Sequence, residues 1–410
     1  MAKLNTSRCA KCGACASVCP VYRVSGLESD TARGKFHLLD KLANTPHSPA
    51  YREIFSRCLL CGACRQACPR GLDLPGLVAA ARGDFPRLTG SGSYTKLLAT
   101  SCLAHPALLA GVGGLLRATG PLLRQLPADS GLRLKLGLFL ESPPAAGPAD
   151  KDPPTAPSPG PAPGGVTIFA GCLARHLRPE IAKATTGLLN SAMQITTNIP
   201  EQQTCCGLAT YSAGNPGEAQ RLARHNLDAF AGGNNPIVTP CASCYSHLQS
   251  YPTLLADDPA YLPRAEAFVA RLRELSAFLA DAPPTAPATP CPGNPASLRV
   301  FYHDPCHLRF HPELRAAPRR LLRTRPGVEL LELPDGPRCC GLGGTFNLAH
   351  PELSHRIGRT LAEEITALSP DLVVTSCSGC LLQLYRELGG TVANIRVLHL
   401  SEFLASGALR

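Results

Sequence analysis

Tryptophan is absent from this 410-residue chain, methionine occurs only twice, and aromatic residues make up 5% of it. Nucleic-acid binding usually needs basic residues clustered among aromatics, whereas here a formal charge of +10 is spread along a chain poor in rings. The composition argues against a nucleic-acid partner and leaves the basic balance for an acidic protein or an anionic lipid surface. The opening residues MAKLNTSRC carry no apolar stretch of the kind found in a secretory leader, so a reducing, cytoplasmic setting is expected. One uncharged run, Leu97 to Leu116, has the length of a membrane span. His105, Pro106, Cys102 and three glycines weaken that reading. A buried helical hairpin, or a surface resting on the inner face of a membrane or on a partner, is expected instead.

What the chain has in excess is cysteine, twenty in all. In a long chain from a reducing compartment these point to metal-bound thiolates rather than disulfides. Two pieces, CAKCGACASVCP from Cys9 and CLLCGACRQACP from Cys58, share the spacing C-x-x-C-x-x-C-x-x-x-C-P. Such a loop wraps three thiolates around one [4Fe-4S] cubane, and the cysteine before proline ligates the other cluster. The spacing therefore assigns Cys9, Cys12, Cys15 and Cys68 to one cluster, and Cys58, Cys61, Cys64 and Cys19 to the second. A pair of four-cysteine zinc sites is the alternative, but zinc has no need of a proline-preceded fourth cysteine in each copy. Pro20 and Pro69 would end the ligand loops, and Gly13 and Gly62 would let the backbone approach the cluster. ARGKFHLLDKLA and LPGLVAAARGDF read as helices and no strand signal appears nearby, which predicts a mainly helical two-cluster module.

Further on, the chain repeats itself. VTIFAGC (Cys172), QQTCCG (Cys205, Cys206) and PIVTPCASC (Cys241, Cys244) recur as RVFYHDPC (Cys306), GPRCCG (Cys339, Cys340) and LVVTSCSGC (Cys377, Cys380). In both copies 32 residues separate the first cysteine from the Cys-Cys pair, and 34 or 36 then precede the last C-x-x-C. This is a duplicated domain. The runs VTIFA, PIVT, RVFY and LVVT predict buried parallel strands ending near cysteines. NPGEAQRLARHNLDAF and HPELSHRIGRTLAEEI predict helices opened by Pro216 and Pro351. Each repeat is thus expected to be α/β, with its five cysteines converging on one pocket beyond the strand ends. Five thiols suit a multinuclear centre with a bridging thiolate; a zinc site or a redox-active thiol pair remains open.

Other features carry less. Cys102 and Cys291 fit no pattern and are expected to be free or buried thiols. GLGGTF, after Cys340, lacks the third glycine of a dinucleotide fingerprint, so tight backbone packing is expected of it. His303 and His307 could ligate a metal or move a proton, but a capping or buried structural role is the more ordinary one.

The union of two ferredoxin motifs with two complete Cys-Cys-Gly domains resembles the glycolate oxidase iron-sulfur subunit family over nearly the whole chain. ARGKFHLLDK and CCGLGGTFNLAHPEL belong to that resemblance. Lactate-utilisation iron-sulfur proteins and the catalytic subunits of heterodisulfide reductase are related. Two proline-rich breaks, Glu141 to Gly165 and Asp281 to Ser297, divide the chain, which predicts a multi-domain protein with a two-cluster domain (1–88), a helical connector (89–140), a linker (141–165), a first Cys-Cys-Gly domain (166–280), a second linker (281–297) and a second Cys-Cys-Gly domain (298–410). The resemblance implies an electron-transfer subunit of a 2-hydroxy-acid dehydrogenase of the glycolate or D-lactate type. An FAD-containing partner would oxidise the substrate, and a quinone or another carrier would receive the electrons. The completeness of both final C-x-x-C motifs looks more like heterodisulfide reductase, whose domains each hold a noncubane [4Fe-4S] cluster. That implies as the alternative a chain that reduces a disulfide at a Cys-Cys-Gly cluster.

Overall fold

The computed structural model describes residues 9–42, 48–85, 93–104, six positions between 111 and 125, 164–281, 297–389 and 395–406. Cys291 and nearly all of the two proline-rich linkers lie outside the described residues. The uncharged run is described mainly through the helix Ser93–Ala104, on which Cys102 is half-buried. Among the described residues no helix is long and apolar enough to cross a membrane.

Each repeat forms a four-stranded parallel sheet. The first uses β1 (Val166–Ile168), β2 (Thr197–Asn198), β3 (Ile237–Thr239) and β4 (Leu272–Glu274) in the order β2-β1-β3-β4. The second uses β5 (Leu298–His303), β6 (Val328–Leu331), β7 (Leu372–Thr375) and β8 (Arg396–His399) in the order β6-β5-β7-β8. The identical order makes the duplication visible in topology. The four central strands are the ones the apolar runs predict, and Ile168, Ile237, Val238, Val300, Val373 and Val374 within them are fully buried. Each such side chain contributes about 1.5–3 kcal/mol through its removal from water.

The helices after each Cys-Cys-Gly also form where expected. In Pro216–Ala229 the Asn215 side chain accepts a hydrogen bond from the Glu218 amide at 3.2 Å, and Pro216 occupies the first turn. Its buried positions Ala219, Leu222, Ala223, Asn226 and Leu227 recur at helical spacing. Pro351–Ala367 buries Ser354, Ile357, Gly358, Leu361, Ala362 and Ile365 in the same manner.

The two repeats share one core. Phe169, Phe230, Tyr251 and Phe268 of the first belong to the same buried cluster as Phe301, Ile365, Val373 and Leu384 of the second. At their junction the Ala242 amide donates to the Ser376 carbonyl at 2.9 Å, and the Arg178 guanidinium lies 4.9 Å from the Tyr385 ring centre.

The N-terminal module is helical, with no strand among its described residues. Its helices include Ala14–Val18, Pro20–Ser25, Ala32–Lys41, Pro49–Ser56, Ala63–Gln66 and Leu74–Gly83. Phe36, Tyr51, Phe55, Leu74 and Val78 form its small core. Pro20 goes further than ending a loop: it opens the helix Pro20–Ser25, with Cys19 at the N-cap. Val21 and Leu59 pack against Cys339, Phe346 and Ile357 of the second repeat.

One half-buried cation rivets this module to the repeats. Arg82 donates to the carbonyls of Phe55 (3.0 Å), Ser56 (2.9 Å), Cys58 (2.6 Å) and, in the first repeat, Ser212 (2.7 Å). Gly214 leaves room for it, since a Cβ there would sit 2.5 Å from the Arg82 carbonyl oxygen. Arg82→Met would strand four carbonyls, each costing about 1–3 kcal/mol when left unpaired in the interior. The variant is expected to lose about 2–5 kcal/mol and to become sensitive to limited proteolysis between the module and the repeats. Wild-type thermal unfolding and protease resistance would contradict the rivet.

Candidate metal centres

The two ligand loops of the N-terminal module are built alike. Lys11 and Leu60, each just before the second cysteine of its motif, take left-handed φ values of 55° and 54°. Gly13 and Gly62 follow with φ of 82° and 77°. Non-glycine residues rarely hold this conformation; repeated twice per loop, it curls the chain so that successive sulfurs face one point. Cys9, Cys12, Cys15 and Cys68 line a single cavity, whose wall also includes Cys64. Burial raises the Cys19 thiol pKa, and the neighbouring Cys58 raises it further. Burial and then Cys58, Cys19 and Cys15 push Cys64 up to about 12. Thiols so crowded stay protonated until a metal charge takes the place of their protons. The donor set fits an iron-sulfur cluster in each loop.

Two cations beside these thiols went unnoticed in the sequence. Lys35 is fully buried and donates to the carbonyls of Asp30 (2.8 Å) and Ser29 (3.1 Å). Burial weakens its hold on a proton, while Cys58, Asp30 and Cys19 strengthen it. Arg82, described above, also faces Cys58. A lysine inside an amphipathic helix gives no signal of this kind, because nothing in ARGKFHLLDK marks which polar side chain is inward.

The cysteines of the repeats sit where topology sends ligands. Strand order reverses between β1 and β3 and between β5 and β7, which opens a crevice beyond their carboxyl ends. Cys172 and Cys241 follow the first pair of strands, and Cys306 and Cys377 the second. Cys241 and Cys377 are the N-caps of the helices Ala242–Gln249 and Ser378–Leu388, where the helix dipole favours thiolate.

Within the first repeat Cys172 and Cys205 lie 3.6 Å apart, and Cys205 meets Cys206, which meets Cys244, which meets Cys241. Within the second, Cys306 meets Cys339, Cys339 meets Cys340, Cys340 lies 3.5 Å from Cys380, and Cys380 meets Cys377. The expectation of one separate pocket per repeat is corrected here, because Cys241 also meets Cys377. The two sites run together into one seam of ten thiols. Ser243 crosses that seam, its hydroxyl 3.1 Å from both the Cys377 sulfur and His307 Nδ1.

The seam reaches the N-terminal module. Burial raises the Cys61 thiol pKa, and Cys339 of the second repeat raises it further. Arg309 faces Cys306, Cys61 and Cys339 at this junction. Burial opposes its charge, but the three sulfurs together with Asp304 more than offset that and hold its proton.

The glycine of each Cys-Cys-Gly has a definite task. Gly207 and Gly341 take φ of +95° and +90°, which aims their amides at the sulfurs of Cys205 and Cys339, each at 3.5 Å. Thiol hydrogen bonds, led by those from Cys172 and from Cys306, push Cys205 and Cys339 well below the ordinary thiol range, and these amides add to the effect. The GLGGTF run serves packing: a Cβ on Gly343 would collide with Leu59, and one on Gly344 would lie 2.6 Å from the Ser212 hydroxyl. At Gly341 a Cβ would fall 2.7 Å from the Ser354 carbonyl oxygen, whereas at Gly207 the nearest atom is His247 Nε2 at 3.3 Å. Both alanine variants incur about 1–2 kcal/mol of left-handed strain. Gly341→Ala is expected to lower the thermal unfolding midpoint more than Gly207→Ala; equal losses would refute the steric account.

The 4Fe-4S dicluster domain family matches residues 5–72, and the cysteine-rich domain family matches 166–249 and again 300–385. Lactate utilization protein A of Geobacillus kaustophilus is 33% identical over 243 residues, 58% of this chain and 98% of that protein. The protein of the same name from an Exiguobacterium species is 30% identical, over 59% of this chain and 97% of its own length. The uncharacterized protein YkgE of Escherichia coli is 29% identical over 241 residues, 99% of its length. With both cysteine-rich repeats and the dicluster domain matched, the chain belongs to the iron-sulfur protein family of lactate utilization protein A and the glycolate oxidase iron-sulfur subunit.

Proposed function

We propose that this chain is the electron-transfer subunit of a 2-hydroxy-acid dehydrogenase complex, of the glycolate or D-lactate type. A partner flavoprotein would oxidise the hydroxy acid, and a quinone or another carrier would take the electrons. The observation that carries this reading is that the thiols of the N-terminal module and those of the repeats come together in one packed cluster, where Cys61 and Cys19 lie against the group that holds Cys339. The names of the lactate utilization relatives support the substrate class. When bound, iron-sulfur clusters supply one-electron carriers. Cys9, Cys12, Cys15 and Cys68 would hold one cubane, and Cys58, Cys61, Cys64 and Cys19 the other; the seam cysteines would hold the further centre or centres.

The chain's own residues have distinct parts in this. The buried strand ends keep water from the sulfurs. Lys35, Arg82 and Arg309 place positive charge near them, which favours the more negative, reduced state of any centre held there. The Gly207 and Gly341 amides act in the same direction through N–H···S bonds.

A second reading has its own observation. The meeting of two complete five-thiol sites at Cys241 and Cys377 suits reduction of a disulfide held between them. Anoxic affinity purification separates the two: a co-purifying flavoprotein supports the first, and a haem-containing membrane subunit without one supports the second. Iron and sulfide should reach at least about eight each per chain, the total for two cubanes; zinc alone would sink both readings. The crossed ligation makes a finer prediction. Cys19→Ser should perturb the same paramagnetic signal as Cys58→Ser, and Cys68→Ser the same signal as Cys9→Ser. If Cys19→Ser instead altered the signal that Cys9→Ser alters, the assignment would fail.

A further inference from the structure

Among the places where the duplicated halves differ beside the thiols, one lies at the end of a central strand. Three residues before Cys172 stands Phe169, and three before Cys306 stands His303. The strand registers make these places equivalent: Ile168 pairs with Val238 as Tyr302 pairs with Val374, so both residues lie one step further along the same strand of the sheet. Phe169 is fully buried, its ring centre 5.6 Å from that of Phe230, and it seals the first site with hydrocarbon.

His303 is 2% exposed, and its Nε2 is buried with no hydrogen-bond partner. A buried polar atom left unpaired is destabilising, and the fold could have avoided that with the phenylalanine used in the first repeat. A ring nitrogen of His303 and the sulfurs of Cys340 and Cys380 all lie within 4.8 Å of one another. These are the donors that thiophilic transition metals take. On its other side His303 borders a polar cleft of about 180 Å³, walled by Tyr302, Asp304, Arg315, Arg319 and Glu332. At Phe169 the first repeat offers no nitrogen; its own buried imidazole, His247, comes instead from the helix that carries Cys244 and lies beside Cys205.

We infer that His303 is a nitrogen ligand of the metal centre held by Cys340 and Cys380, so that the second repeat's centre is chemically unlike the first. An imidazole is a neutral donor where a thiolate brings a negative charge. Nitrogen ligation therefore raises the reduction potential of an iron centre relative to an all-thiolate one and fits zinc equally well. With iron, the two halves of the seam would lie at different potentials, the higher beside the module's Cys61; with zinc, the second half would be a structural, redox-inert site.

The inference rests on the reading that the seam cysteines hold metal, and the test keeps the two apart. The full chain is purified anoxically from cells fed ¹⁵N-histidine, and its metals are counted. If the centre is iron, pulsed EPR should show a strongly coupled histidine nitrogen; if zinc, absorption at the zinc K-edge should show one nitrogen among sulfur donors. His303→Phe, the residue of the first repeat, should abolish that nitrogen signature. Sulfur-only ligation, or a nitrogen signature unchanged in His303→Phe, overturns the proposal while leaving the metal reading intact. Absence of any metal beyond the two cubanes overturns both. Should His303→Phe fail to fold, His307→Gln and His247→Gln decide instead: a signature that survives both supports His303, and its loss in either refutes it.

Discussion

Sulfur brought against sulfur in a dry interior is the condition on which this architecture depends. Cys241 and Cys377 meet across the repeat junction, and neither can ionise there without a neighbour that donates a hydrogen bond or a metal that supplies positive charge. The sheets are arranged to impose that meeting. Each cysteine ends a central strand at a switch point and caps the helix that follows. The Ala242 amide then binds the Ser376 carbonyl and so fixes the distance between the two strand ends. Tyr302 holds the other side, with its hydroxyl 2.6 Å from that of Ser376.

The same condition explains the strong ionic device just before Cys306. Arg319 grips both oxygens of Asp304, at 2.8 and 2.5 Å, and reaches Glu332 at 2.6 Å. Asp304 and Arg319 are both buried, so the pair is a poor source of net stability, but breaking it would be costly. Its effect is to hold the end of β5 in one place. In the first repeat Ala170 stands where Asp304 does, and there the Gln203 side chain accepts hydrogen bonds from the Ala170 and Gly171 amides at 2.9 and 3.4 Å. The duplicated halves reach the same cysteine placement by an ion pair in one and by an amide clamp in the other.

Much of this was legible in the residues, and the part that was not shares a physical cause. Central strands announce themselves because both of their faces are buried, as in VTIFA and LVVT. The edge strands β2, β4, β6 and β8 were missed: Thr197–Asn198 spans two residues, and Leu272–Glu274 and Arg396–His399 carry charge inside very short runs. Helices with a proline at the first turn and an apolar stripe were read correctly. The seam was not foreseen, because cysteine spacing within a repeat says nothing of how two repeats face each other. Lys35, Arg82 and Arg309 escaped for a related reason. Such a cation is recognised by the carbonyls and sulfurs around it, and those come from distant parts of the chain.

The duplication is broken most clearly where the N-terminal module docks, and this gives the seam a direction. Gly343 packs under Leu59, the residue after Cys58, and a side chain there would push the module away. The equivalent position of the first repeat, two residues after Gly207, is Ala209. Cys61 accordingly packs against the cluster that contains Cys339. Arg309 lies at that junction, among Cys61, Cys306 and Cys339. Arg309 donates to the Pro337 carbonyl at 3.2 Å as its counterpart Arg175 does to the equivalent Gln203 carbonyl at 2.8 Å, but only Arg309 has the module's Cys61 beside it. The second ligand loop therefore lies against the second repeat, at a junction that carries a positive charge. The first repeat lies beyond it, reached through Cys377 and Cys241, with its own strand end closed by Phe169. The duplicated domain thus presents a site near the N-terminal module and a site far from it.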